Sequence, residues 1–178
     1  QLKVRERVLN LSRLARRALE ISAKRSDVKL CELLKDENGA PMPINGVFWS
    51  ISHKPEYVGG VVALEKIGVD IEKIRPCASG LFQKTATESE WTLFGSEDPF
   101  NRFFRCWTAK EAVIKAEGTG IKDLLRCVIS EVIDEHHLII DFQNRKWFIE
   151  HFFFNGHIAS VVKTSETVEW ILIENSEQ

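Results

Sequence analysis

WTAKEAVIKAEGTGI, residues 107–121, is the stretch from which the rest of the chain is read. It continues a pattern that begins near Pro99, with Phe103, Phe104, Trp107, Ala112, Val113 and Ile114 on one side, which predicts a helix over residues 99–115. Gly118-Thr119-Gly120 stops it, because Gly accepts the left-handed conformation that ends helices. On that helix Glu111 and Lys115 stand four apart and share a face, with Trp107 one turn earlier. A carboxylate and an ammonium are thus presented side by side. An ordinary exposed Glu-Lys pair, worth about 0.3–0.5 kcal/mol, has the same spacing, so spacing alone leaves both readings open.

Beyond this helix the texture turns to β. Apolar runs over residues 127–133, 138–142, 147–154, 158–162 and 168–173 predict strands, separated by polar or Gly-containing turns, and residues 175–178 read as a frayed tail. Before it, residues 87–94 read as another helix. Further upstream, residues 47–51 and 57–64 predict two strands joined across Ser52-His53-Lys54-Pro55-Glu56, where Pro55 sets the bend. Residues 67–71 form a third apolar run that must end before Pro76. At the start, Val8, Leu11, Leu14, Ala15, Ala18, Leu19 and Ile21 recur at three- and four-residue steps, predicting an amphipathic helix over residues 4–23. Turn chemistry at residues 36–41 and 43–46 separates that helix from the strands. Hairpin-length spacings favour antiparallel sheet and an α+β fold, not a doubly wound parallel one.

With 178 residues, 44% apolar and 28% charged, the chain has the balance of a soluble globular protein and can bury a full core without a structural metal. Its net charge of −2 lacks the positive excess of a nucleic-acid binder. The first helix is basic through Lys3, Arg5, Arg7, Arg13, Arg16 and Arg17, but no stacking aromatics accompany it, so no nucleic acid is expected. Cys31, Cys77, Cys106 and Cys127 lie far apart without a Cys-x-x-Cys pair and read as reduced core thiols. No segment is apolar for the roughly 18 residues of a membrane span, and no leader opens the chain. A cytoplasmic location follows, with no membrane contact expected.

Two shorter stretches carry candidate chemistry. In Gly68-Val69-Asp70-Ile71-Glu72 strand alternation puts Asp70 and Glu72 on one face, where they repel unless a cation lies between them. A hard ion such as magnesium would bind there, and a solvated strand end is the alternative. In Trp49-Ser50-Ile51-Ser52-His53-Lys54 a strand delivers hydroxyl, imidazole and ammonium donors to a bend, a set suited to phosphate oxygens. No glycine-rich phosphate loop, nucleophile elbow or zinc helix is present.

In this order, SISHK, GVDIE and WTAKEAVIKAEGTGI resemble the three signature regions of the 4′-phosphopantetheinyl transferase superfamily, in its broad-specificity, surfactin-synthetase-activating, two-lobe type. The resemblance spans roughly residues 7–162. It implies an α+β fold of two similar lobes, residues 1–67 and 68–178, each with an antiparallel sheet packed on a long helix and related by a pseudo-two-fold axis. It also implies magnesium-dependent transfer of the 4′-phosphopantetheine group of coenzyme A to a serine of an apo acyl or peptidyl carrier protein, releasing adenosine 3′,5′-bisphosphate. Manganese is an alternative ion, and a monomer is expected.

Residue by residue, the resemblance makes Asp70, Glu72 and Glu111 the metal ligands. Glu111 would also serve as base, directly or through a water. Lys115, with Lys110, would stabilise the leaving phosphate, and Lys115 would contact the pyrophosphate. Ser52, His53 and Arg7 would hold the coenzyme's phosphates. Lys84, Arg102 and Lys122 mark a surface where the carrier could dock. The chain departs from the family pattern at Gly39-Ala40-Pro41, where Lys is usual at the middle position, at Trp49-Ser50 in place of Phe-Asn, and in lacking the usual first strand with its lysines. These departures leave one rival: a decayed family member that only binds coenzyme A or a nucleotide.

Overall fold

The computed structural model describes residues 2–30, 32–37, 39–165 and 167–173, and for residues 2–8 the backbone alone. The periodic apolar residues of the N-terminal segment form helix α1, Leu2–Arg25, which buries Ala15, Leu19 and Ala23 at four-residue steps. This stripe lies on the antiparallel hairpin of β1, Phe48–His53, and β2, Val58–Ala63. Gly60 of β2 makes the approach possible, since a Cβ there would stand 2.8 Å from the Leu19 backbone nitrogen. Trp49, Val62, Leu19, Ala23 and Val47 form the small core beneath.

The next strand, β3, Val69–Lys73, belongs to a second sheet. It is the edge strand of five, in the order β3, β7, β6, β5, β4, with β4 at Val128–Val132, β5 at His137–Phe142, β6 at Arg145–Phe154 and β7 at His157–Lys163. All neighbouring strands are antiparallel. The turns explain the hairpins: Gln143-Asn144 and Asn155-Gly156 all have positive φ, the two-residue geometry whose twist matches the flanking strands.

Two short helices, α2, Gly80–Thr85, and α3, Glu88–Thr92, lead into helix α4, Pro99–Glu117, and a 3-10 turn at Ile121–Arg126 follows. α4 starts where Asp98 accepts the Phe100 and Asn101 amides, each at 3.0 Å, with Pro99 at its first position, and ends at Gly118 with φ 73°. It packs across β3, β7, β6 and β5. Phe103, Phe104, Cys106, Val113, Leu138, Ile140, Trp147 and Ile158 form the main core, which Ala63 joins from the first sheet and Ile67 from the connection to β3. No helix among the described residues is long and apolar enough to cross a membrane.

The α+β architecture with antiparallel sheets is the expected one, with local differences. The expected helix at residues 87–94 is the five-residue α3, held by a capping box between Thr87 and Glu90. The expected strand at residues 67–71 starts two residues later. Residues 168–173 form no strand. The chain leaves the sheet from β7, whose two sides are already paired with β3 and β6. Instead Trp170 stacks on Phe152 and donates to Glu150 Oε1 at 2.9 Å, and Glu169 meets Arg25 of α1 at 2.6 Å.

Candidate functional site

Where β3 begins, the helix lies almost on its backbone. A Cβ added at Gly68 would stand 1.9 Å from the Ala112 carbonyl oxygen and 2.8 Å from the Ala116 nitrogen. Only glycine permits this contact, and it sets the α4 face that carries Glu111 and Lys115 against Asp70. Asp70 is 5% exposed, whereas Glu72, nearer the strand end, is partly open.

Asp70 Oδ1 accepts two bonds, from the Ser52 hydroxyl at 2.9 Å and from Lys115 Nζ at 2.8 Å. Lys115 Nζ also donates to the Val69 carbonyl at 3.0 Å and reaches the Ile51 carbonyl at 3.5 Å. Glu72 is paired with Lys54 at 2.6 Å. Asp70 Oδ2 and Glu111 Oε1 are buried with no hydrogen-bond partner among the described residues. Burial, and after it the charge of Asp70, holds the Glu111 carboxyl above its ordinary range; Glu72 adds to the effect, and Lys115 and Lys54 oppose it.

The donor set is chemically suited to a hard divalent cation. Asp70 and Glu72 both act on Glu111, and two of the carboxylate oxygens are buried without a hydrogen-bond partner among the described residues. Among the described residues, no three His, Cys, Asp or Glu side chains stand grouped as a ready metal cage, and lysine ammonium groups supply the positive charge at Asp70 and Glu72.

One expectation needs correction. Lys110 does not belong to this cluster. Its Nζ is fully buried, 2.7 Å from Glu90 Oε1 and 2.8 Å from the Thr85 carbonyl. A residue next to Glu111 in sequence points about 100° away around the helix, and there it enters the core. Ser52 is turned inward in this structure: its hydroxyl donates to Asp70 Oδ1 at 2.9 Å and its oxygen accepts the Ile71 amide at 3.1 Å. His53, at the end of β1, is exposed. Arg7 falls within α1, but its side chain lies outside the described part.

Three residues contribute in ways the pattern did not reveal. Gly68 sets the helix approach, and its position immediately before the acidic strand was the available signal. Lys54 holds Glu72, and Ser50 Oγ accepts the Val69 amide at 3.1 Å. Neither pairing has a local signature, because each joins strands that meet only in the fold. A groove of about 1030 Å³ lies on the other face of β3, lined by Leu14, Ala18, Ile21, Val69, Ile71 and Trp170 among others. None of the three carboxylates lines it.

Comparison with known proteins matches residues 66–163, more than half of the chain, to the family model described as the 4′-phosphopantetheinyl transferase superfamily. That span includes Asp70, Glu72, Glu111 and Lys115 and leaves out Ser52 and His53. A Haemophilus influenzae protein provisionally named as a 4′-phosphopantetheinyl transferase is 29% identical over 143 residues, covering 74% of this chain and 59% of its own. A Bacillus subtilis 4′-phosphopantetheinyl transferase is 36% identical over 76 residues, 41% of this chain and 34% of that one. One from Aneurinibacillus migulanus is 31% identical over 90 residues, 49% and 38% respectively. The chain thus spans less than two thirds of the length of each of these relatives.

Proposed function

The chain belongs to the 4′-phosphopantetheinyl transferase superfamily, and from that premise we propose that it transfers the 4′-phosphopantetheine group of coenzyme A to a serine of an apo carrier protein. The observation that carries this reading is the pair of partnerless buried oxygens, Asp70 Oδ2 and Glu111 Oε1, beside the Lys115 ammonium. Asp70, Glu72 and Glu111 would hold a magnesium or manganese ion, which when bound supplies charge neutralisation for the pyrophosphate.

The chain's own groups do the rest. Glu111, whose carboxyl burial and the charge of Asp70 hold above its ordinary range, would serve as the base. It takes the proton of the carrier serine as that oxygen bonds to the β-phosphorus of coenzyme A. The bond from the β-phosphorus to the bridging oxygen breaks, and adenosine 3′,5′-bisphosphate leaves with the electron pair. Lys115 exchanges its contacts within the protein for the charge that develops on the leaving phosphate. His53 and Lys54 lie at the end of β1, near Glu72, where further phosphate oxygens could be received.

We read residues 1–67 and 68–178 as two lobes related by a pseudo-two-fold axis, with the site between them; the packing of α1 on one sheet and α4 on the other supports this. The carrier would dock beside exposed Ile121, Leu125 and Lys122 on the second lobe. The protein would act as a cytoplasmic monomer.

The test is to incubate the protein with coenzyme A, magnesium and apo carriers from fatty-acid and peptide-synthetase systems, then weigh the carriers. A gain of one phosphopantetheine group is expected. Coenzyme A binding without mass gain on any carrier would replace this reading with that of a binding module.

A further inference from the structure

A row of polar side chains crosses the sheet beneath α4. Asp70 on β3 is directly opposite Ser160 on β7, and Ser160 is directly opposite His151 on β6. Residues paired in this way share a face of the sheet. The contact of Ser160 with Thr108 shows that it is the face α4 covers. On α4, Thr108 and Glu111 are three apart and Lys115 is four further on, all on one side of the helix. Thr108 and Ser160 are fully buried and His151 is nearly so.

The hydrogen bonds along this row run in one direction. A carbonyl can only accept, so the Thr108 hydroxyl donates to the Phe104 carbonyl at 2.7 Å, and its oxygen takes the proton of Ser160, 2.5 Å away. Ser160 must then accept at its own oxygen, and the donor is His151 Nδ1 at 2.8 Å. Burial first, and then the charge of Arg105, holds the His151 imidazole well below its usual range, so the ring carries one proton. The bond to Ser160 places that proton on Nδ1.

An apolar residue would suit the place of Ser160, since Ile158 and Val162 flank it on the same buried face of β7. Apolar burial is non-directional, and a helix can shift along a sheet while keeping most of it. A short hydrogen bond between two fully engaged hydroxyls fixes one point of α4 to one point of β7. That point lies three residues from Glu111 along the helix and one strand from Asp70. Glu111 Oε1 and Asp70 Oδ2 are the two buried carboxylate oxygens without a partner among the described residues.

We propose that Ser160 and Thr108 are positioning residues: their bond sets where α4 lies on β7, and so how far Glu111 stands from Asp70. His151 orients Ser160 for that bond, and neither hydroxyl touches substrate. The inference rests on the reading of Asp70 and Glu111 as partners in one metal site.

Manganese uptake without turnover, read from the free-ion electron paramagnetic resonance signal, tests it on the whole chain, beside the kcat and KM of transfer and thermal unfolding. Thr108→Val, which keeps the shape, and Ser160→Ala should each weaken manganese binding about tenfold and lower kcat about 10–100-fold, with KM for coenzyme A unchanged. The double variant should lose no more than either single one, because both cut the same bond. Thr108→Ser, which keeps the hydroxyl, should return to near parental values. Ile140→Val is the control: it loosens the same core from β5 without touching the row, and should lower Tm while leaving manganese affinity and kcat as in the parent chain. If Ser160→Ala does not fold, Ser160→Cys, a poorer hydrogen-bonding partner of similar shape, takes its place.

Parental manganese affinity and kcat in both hydroxyl variants, beside an Asp70→Asn chain that takes up no manganese, would overturn the role of Ser160 and Thr108 alone. So would losses that follow the fall in Tm equally in Ile140→Val, which would make the two hydroxyls merely structural. No uptake by the parent, or equal uptake by Asp70→Asn, would remove the metal reading and this inference with it.

Discussion

Replacing Glu111 with Gln should make the metal-free protein more stable and the enzyme inactive. Glu111 Oε1 is buried without a partner among the described residues, and burial followed by the charge of Asp70 holds its carboxyl above the ordinary 4.5. A buried, unsatisfied polar atom costs about 1–3 kcal/mol. Gln keeps the shape and leaves a polar amide in the same place, so the gain at neutral pH comes from the lost charge alone, about 1 kcal/mol, a rise in Tm of about 2–4 °C for a chain of this size. The sign with pH follows from the raised pKa. Between the ordinary value and the raised one, the native state retains a proton that the unfolded chain has lost. Wild-type stability therefore falls as pH rises through that window, and the advantage of Gln is largest above it and disappears below about 4.5. Magnesium should invert the order: at 100 times its dissociation constant a single ion stabilises the native state by about 2.7 kcal/mol, which the wild type gains and the variant forgoes. Thermal unfolding followed by circular dichroism, in chelator and in magnesium, reads both effects. A variant less stable than the wild type in chelator, with the same magnesium increment and full transfer, would refute the assignment of Glu111.

Gly68→Ala should cost about 3 kcal/mol or more in urea denaturation, because its Cβ would stand 1.9 Å from the Ala112 carbonyl oxygen and helix backbone has no rotamer to give; an unchanged midpoint would show that the helix does not lie where described. Lys110→Met should cost about 3–5 kcal/mol by leaving the Glu90 carboxylate buried and unpaired, with much of the loss recovered in the double variant with Glu90→Gln; a normal midpoint with lost transfer would return Lys110 to the active site. His151 is held well below its usual range by burial first, then by Arg105, His136 and His137. The unfolded chain takes up its proton below about pH 6.5 while the fold does not, so stability should fall by up to about 1.4 kcal/mol per pH unit there, and His151→Gln should flatten the slope between pH 6.5 and 5.5. Parallel slopes for the two chains would refute the burial of a neutral imidazole.

Elements with local punctuation were legible in the sequence. α4 ends where Gly118 permits a left-handed residue, and β6 and β7 are separated by Asn155-Gly156, whose positive φ values the residue types announce. The acidic face of β3 followed from alternation alone. What escaped were pairings made across sequence distance. Nothing near Lys110 indicates that Glu90 waits for it, and a helical pattern assigns faces without saying which other element each face meets. Ser52's contact with Asp70 had no local sign either, because only folding brings the two within 2.9 Å. Residues 168–173 alternate like a strand, but alternation records which side chains are buried and not whether a sheet edge is available.

The same few groups hold the seam and compose the site, which ties the stability of the two sheets' junction to the chemistry at Asp70. Lys115 donates to Val69 and reaches Ile51 while it neutralises Asp70, so it bridges the strands as well as the charges. If that lysine turned to a phosphate, the two carbonyls and Oδ1 would each lose a donor, and the side-chain hydrogen bonds left across the seam among the described residues would be those of Ser50 and Ser52. Two short hydroxyls at fixed register are suited to that task because each accepts an amide of β3. If a phosphate drew Lys115 away, the contacts of Ser50 and Ser52 would still join β1 to β3, and Asp70 would keep the bond from Ser52.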